Sequence, residues 1–102
     1  MFKYAAWKRD WGMLTLVWTS MIDAGELHCD VTKWTPTAKD DLLLLLHEVV
    51  IPYAKEKGLT KLMSLGEKDN KLLPKFGRLM GFDSGYVMIE GHGELPYVYK
   101  EL

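Results

Sequence analysis

The hydrophobic period of this chain changes twice between Glu26 and Leu65, and that double switch limits the folds open to it. Glu26 to Thr32 alternates, with Leu27, Cys29 and Val31 on one face and Glu26, His28, Asp30 and Thr32 on the other. A period of two is a strand with one buried face. A helical stretch follows. Thr37 offers an N-cap, Asp40 stands three residues on as in a capping box, and Asp41 brings negative charge to the positive end of the dipole. Leu42 to Leu46 is an unbroken apolar run, which predicts a helix packed on more than one side. Val49, Val50, Tyr53 and Ala54 continue the pattern, and Lys55-Glu56-Lys57-Gly58 supplies a basic last turn and a terminal glycine. Pro52 lies inside, removing one backbone hydrogen bond, and should bend the helix or end its regular part. Leu59 to Leu65 then reads as a short apolar strand. Strand, helix, strand in this order requires parallel pairing through a right-handed crossover.

The flanks add strands and one more helix. Met13 to Met21 is rich in β-branched and aromatic residues, and Asp23-Ala24-Gly25 gives turn chemistry before Glu26, so a hairpin enters the crossover. Phe2 to Trp11 fits either a first strand or a loose arm. Asn70 to Met80 reads as a shorter helix with Leu72, Leu73, Phe76, Leu79 and Met80 as its stripe, stopped by Gly81. Ser84 to Glu90 and Tyr97 to Lys100 are final strands joined around Gly91-His92-Gly93. The order β-β-α-β-α-β-β belongs to an α/β (α+β) fold, a mixed central sheet with two covering helices. Without repeats or a Pro/Gly-rich linker, residues 1–102 read as one domain: strands over 1–32, then a core over 33–102.

Composition removes several function classes. Thirteen Lys and Arg against fourteen Asp and Glu give a net charge of -1, so no nucleic-acid partner is expected, because sequence-blind binding needs surplus positive charge. The run Leu42–Leu46 is too short to span a bilayer, no signal-peptide pattern opens the chain, and a membrane partner is not expected either. A lone Cys29 cannot form an internal disulfide, which suits a reducing cytoplasm; on the apolar side of its strand it reads as a small hydrophobe rather than a nucleophile. His28, His47 and His92 lack metal-ligand spacing, so no metal site is expected. There is no nucleophile elbow, P-loop or dinucleotide fingerprint.

Three features from Glu26 to Phe82 carry a resemblance: the run Ala54-Lys55-Glu56-Lys57-Gly58-Leu59 before a strand, the spacing from Asn70 to the pair Gly81-Phe82, and the order of elements. Together they resemble the core of the GCN5-related N-acetyltransferases (GNAT), acyl-CoA-dependent acyltransferases. The resemblance implies acetyl-CoA as cofactor. It also implies main-chain amides around Val31 and Thr32 holding the pantetheine arm, Thr37, Ala38 and Lys39 near the pyrophosphate, and Asn70 as a supporting donor. On the same basis a base on the Glu26–Thr32 strand, His28 or Asp30 through a water, would take the acceptor amine's proton. The bland alternative places both on a partly solvated face, and His47 within the helix as structural.

The departures bear on function. Where the family carries arginine and two glycines to cradle the pyrophosphate, this chain has Pro36, Lys39 and Asp41. Pro36 has no N–H to give, Thr37 can satisfy amides that a phosphate would take, and Asp40 and Asp41 bring like charge. At the position of the family's usual tyrosine acid stands Gly77; Tyr86, His92 and Tyr97 are chemically able to replace it, and Tyr86 is carried as the candidate. Full members open with a strand and two helices that build much of the acceptor side; here residues 1–32 read as strands, so the acceptor site is expected to be either minimal or discarded. Trp34 stands among polar neighbours, where an exposed ring suits a protein contact. Lys3, Lys8 and Arg9 fit either an acidic partner or a lysine-protected strand edge. Two readings follow: a reduced scaffold with lost or weakened acetyl-CoA binding, acting through a protein partner or as a homodimer, and an active minimal N-acetyltransferase moving acetyl to an amine. Reduced domains of this family are familiar in bacteriophage proteins, which implies a host cytoplasm.

Overall fold

The computed structural model describes residues 2–66 and 72–102, with Leu72 described in its backbone only. Phe2–Arg9 is a full strand, β1, followed by β2 (Gly12–Thr19) and β3 (Ala24–Val31); β4 is Lys61–Leu65, β5 Asp83–Ile89 and β6 Gly93–Glu101. They form one six-stranded sheet in the order β1-β2-β3-β4-β6-β5. The mixed α/β sheet read from the sequence thus gains a first strand, and β6 starts four residues earlier than its apolar residues suggested. β3 and β4 are the single parallel pair among the described strands, at Ala24↔Lys61, Gly25↔Leu62 and Glu26↔Met63; the other pairings are antiparallel.

The crossover helix runs as α1 (Pro36–Leu45), a wide π-turn over Leu46–Val50, and α2 (Ile51–Glu56). The π-turn has a cause in Pro52. A regular helix would need the Pro52 N–H for the Glu48 carbonyl and would press the proline ring against it. In the wide turn the Ile51 N–H reaches back five residues to the Leu46 carbonyl, and the helix resumes beyond the proline. The N-cap is Thr35, not Thr37: the Thr35 hydroxyl oxygen accepts the Ala38 N–H at 3.0 Å. Pro36 decides this, since proline suits the first helical position and puts the cap one residue earlier. The expectation of packing on several sides is also corrected. Leu42, Leu45 and Leu46 are buried, while Leu44 is 59% exposed, so the helix lies on the sheet with its outer side open.

Both glycine-stopped helices end in the same hydrogen-bonded cap. After α2 the Gly58 N–H reaches the Lys55 carbonyl and the Leu59 N–H the Ala54 carbonyl; after α3 (Leu72–Leu79) the Gly81 N–H reaches Arg78 and the Phe82 N–H reaches Gly77. Gly58 and Gly81 have φ of 83° and 81°, which a side chain disfavours, and the next residues, Leu59 and Phe82, turn into the core. The two motifs behind the family resemblance are therefore helix-stop devices.

The core lies on one side of the sheet. Leu14, Leu16 and Trp18 of β2, Leu27 of β3, Leu62 of β4 and Val98 of β6 meet the helices there. Each fully buried leucine or valine contributes about 1.5–3 kcal/mol.

Candidate functional site

Among the described residues, β3 and β4 stay paired as far as Glu26 and Met63, so from Leu27 onward β3 pairs with β2 alone and the sheet splits. The split opens on the helix side into a cavity of about 570 Å³ lined by Leu27, Cys29, Trp34, Ser64, Phe76 and Phe82 among others. Its walls are mostly apolar. Trp34, from the loop after β3, meets Phe76 of α3 with ring centres 5.6 Å apart, so the two walls touch. Trp34 is 48% exposed, as suits a ring at a mouth. Cys29 is half-buried in this wall; burial first, and the Asp30 carboxylate second, raise its thiol to about 11, so near neutrality it is a protonated wall residue.

A second hollow, about 610 Å³, lies in front of α1, with Lys8, Arg9 and Lys33 on its rim. The β1–β2 turn is plugged into this region by Trp11, which is buried. The Trp11 indole N–H donates to the Asp41 carboxylate at 2.6 Å, and Arg9 Nε lies 3.7 Å from the same oxygen. Asp41 is thereby bound to the hairpin rather than facing the hollow as an unopposed charge. The Trp11 carbonyl in turn accepts the Thr32 N–H at 2.8 Å, the Lys33 N–H at 3.2 Å and the Thr32 hydroxyl at 3.2 Å. Three donors of the β3–α1 loop are therefore spent on one oxygen. With Ala38 capped by Thr35 and Pro36 lacking an N–H, much of the backbone here is committed to the protein itself, while the Trp34, Thr35 and Thr37 N–H groups stay free.

The candidate residues do not converge. His28 and Asp30 are exposed on the sheet face opposite the helices; His28 Nε2 lies 3.3 Å from Glu26 Oε1. Tyr86 is exposed on the outermost strand, β5, where its register with Pro96 puts it on the helix side, away from His28. Tyr97 shares the face of His28 but stacks on Tyr99 at 5.3 Å, and His92 is exposed in the β5–β6 turn. Val31 lines the split, Thr32 is engaged as above, Thr37 is exposed, Ala38 is buried and Lys39 is half-buried. Asn70 lies outside the described residues. Gly77 has a structural reason. A β-carbon there would sit 2.4 Å from Val98 Cγ1 and 2.9 Å from Val98 Cβ, so this position faces the sheet and not the cavity. No described group of three or more His, Cys, Asp or Glu is placed to hold a metal ion. The Trp11–Asp41 clasp spans 30 residues and left no periodic signal to find it by.

By sequence, no family model and no curated protein matches the chain. By structure, a ribosomal-protein-alanine N-acetyltransferase from Brucella melitensis superposes with a TM-score of 0.66 at 20% identity, over 99% of this chain and 69% of that one. An acetyltransferase from Bacillus cereus gives 0.62 at 20% identity, over 99% and 74%. A putative GNAT-family acetyltransferase from Desulfovibrio desulfuricans gives 0.65 at 18% identity, over 96% and 68%. At these identities the likeness is one of fold. The chain has the acyl-CoA N-acyltransferase-like fold of the GNAT acetyltransferases and spans 68–74% of the length of these three.

Proposed function

We propose that this chain is a GNAT-fold scaffold that has lost productive acetyl-CoA binding and works through contacts with proteins. One observation carries the reading: the Thr32, Lys33 and Ala38 amides around the start of α1 are used internally and Pro36 has none, which leaves Thr37 as the one unengaged amide among the first three helical residues. A pyrophosphate held there would need free amides at a helix start. Thr32 and Lys33 give theirs to Trp11, Ala38 gives its own to Thr35, and Pro36 has none. With a single free amide, that of Thr37, in the first turn and the Asp40 and Asp41 carboxylates beside it, the residues present fit poorly to the cofactor that the fold implies, and no chemical step is derived through it.

Two further features agree. The Trp34–Phe76 contact narrows the mouth of the split that a pantetheine arm would enter, and Gly77, packed on Val98, offers no side chain at its position to protonate a thiolate. The alternative, an active minimal N-acetyltransferase, draws on the cationic rim of Lys8, Arg9 and Lys33 and on the apolar cavity at the split. A thermal-shift titration separates them. A ligand at a hundred times its Kd stabilises by about 2.7 kcal/mol, worth roughly 10–20 °C in a domain of this size. The scaffold reading expects no shift with millimolar acetyl-CoA; a saturating shift of that size supports the enzyme.

A further inference from the structure

The sheet has a second face, and no described helix covers it. The register places Tyr4, Val17, Glu26, Met63 and Tyr99 in one row across five strands, all pointing away from the core. Tyr4 is 75% exposed at one end of the row, and Tyr97 and Tyr99 lie stacked on each other on the same face, four strands away. The consequence shows in the surface area. A folded monomer of this mass exposes about 5,900 Å²; this chain exposes 6845 Å². The molecule is a slab only 21 Å thick in its shortest dimension, as two layers would be.

We propose that a second copy of this chain covers the face, the two sheets packing front to front about 10 Å apart. The inference rests on the reading of the chain as a contact protein and names its partner. Six strands spaced about 4.8 Å apart, each some seven residues long, offer roughly 650 Å² per copy, so a pair buries about 1,300 Å², within the range of stable interfaces. The charges at the centre are self-complementary. Glu26 of β3 and Lys61 of β4 flank the midline, and Lys61 is in register with Ala24. A two-fold axis along the strands between β3 and β4 lays Lys61 of each copy over Ala24 of the other. On its own copy Lys61 Nζ lies 4.0 Å from the exposed Glu101 carboxylate and 4.8 Å from the Tyr99 ring centre. The small alanine leaves it room to turn instead towards Glu26 of the other copy, whereas a face of one sign would repel its own copy.

Sedimentation equilibrium from 1 to 200 μM tests this. The expected species has twice the 11.7 kDa chain mass. Tyr4→Glu, at an exposed position, is expected to weaken association at least tenfold, with the melting curve of the dilute protein unchanged. Met88→Lys, on the edge strand β5 and facing the helix side, should leave association as it was. A monomer at 200 μM overturns the proposal, and so does a dimer that ignores Tyr4→Glu but is broken by Met88→Lys, which would be an edge-to-edge pair. The coenzyme titration, which reads no mass, tests the underlying scaffold reading separately.

Discussion

Replacing Gly77 by alanine tests whether α3 sits as tightly on the sheet as its packing implies. The added β-carbon would lie 2.4 Å from Val98 Cγ1 and 2.9 Å from Val98 Cβ, against an ordinary carbon–carbon contact of about 3.5–4.0 Å. Rotating Val98 about χ1 moves Cγ1 but not Cβ, and Val98 is fully buried on a strand paired on both sides, so the helix must retreat. Overpacking of this kind costs about 1–3 kcal/mol. The gain in helix propensity from glycine to alanine offsets about 0.5–1 kcal/mol of that. A net loss of about 1–2 kcal/mol is expected, read by urea denaturation, with a fall in Tm of roughly 4–16 °C. Pairing the change with Val98→Ala should cost less than the sum of the single changes by at least about 0.5 kcal/mol, because the two residues share one contact. A stabilised Gly77→Ala, or strict additivity with Val98→Ala, would refute the close approach and reopen this position to a catalytic side chain.

Other outcomes follow from the clasp and the cavity. Trp11→Phe keeps most of the buried ring but leaves the Asp41 carboxylate without its indole donor, and is expected to lower stability by about 1–3 kcal/mol in the same denaturation assay. Cys29 should react slowly with a thiol reagent near neutrality, its rate rising only as pH nears 11. Its folded thiol holds the proton more tightly than the unfolded one, so the associated stability is intact below pH 9 and is lost as pH climbs from 9 towards about 11. Trp34→Ala should lower stability by no more than about 0.5–1.5 kcal/mol, the worth of an aromatic pair, while raising binding of an apolar fluorescent dye to the opened split.

Much of the fold was legible because local patterns and tertiary packing agree over Glu26–Leu65. The alternation of Leu27, Cys29 and Val31, a capped helix and a returning apolar strand leave little but a parallel crossover. The cap is ambiguous in sequence because Thr35 and Thr37 both flank Pro36, and only proline's preference for the first helical position separates them. Phe2–Arg9 is ambiguous in sequence because an edge strand with one open face need not alternate cleanly. The one-sided core was hidden for a related reason: β2 carries Met13 and Val17 on the face away from Leu14, Leu16 and Trp18, so its sequence reads as buried on both sides. At the candidate site, the degenerate phosphate loop could be read from Pro36, Lys39 and Asp41, but the way its donors are used could not. That depends on Trp11, which reaches the loop from another hairpin.

The central claim is that the start of α1 and the split beside it no longer receive acetyl-CoA. A two-dimensional NMR titration reads it residue by residue, following the Trp34 indole and the amides from Leu27 to Lys39 as the coenzyme is raised to several millimolar. The account predicts resonances that stay in place. Saturable shifts confined to Trp34, Lys33 and the first turn of α1, with a micromolar Kd, would contradict it.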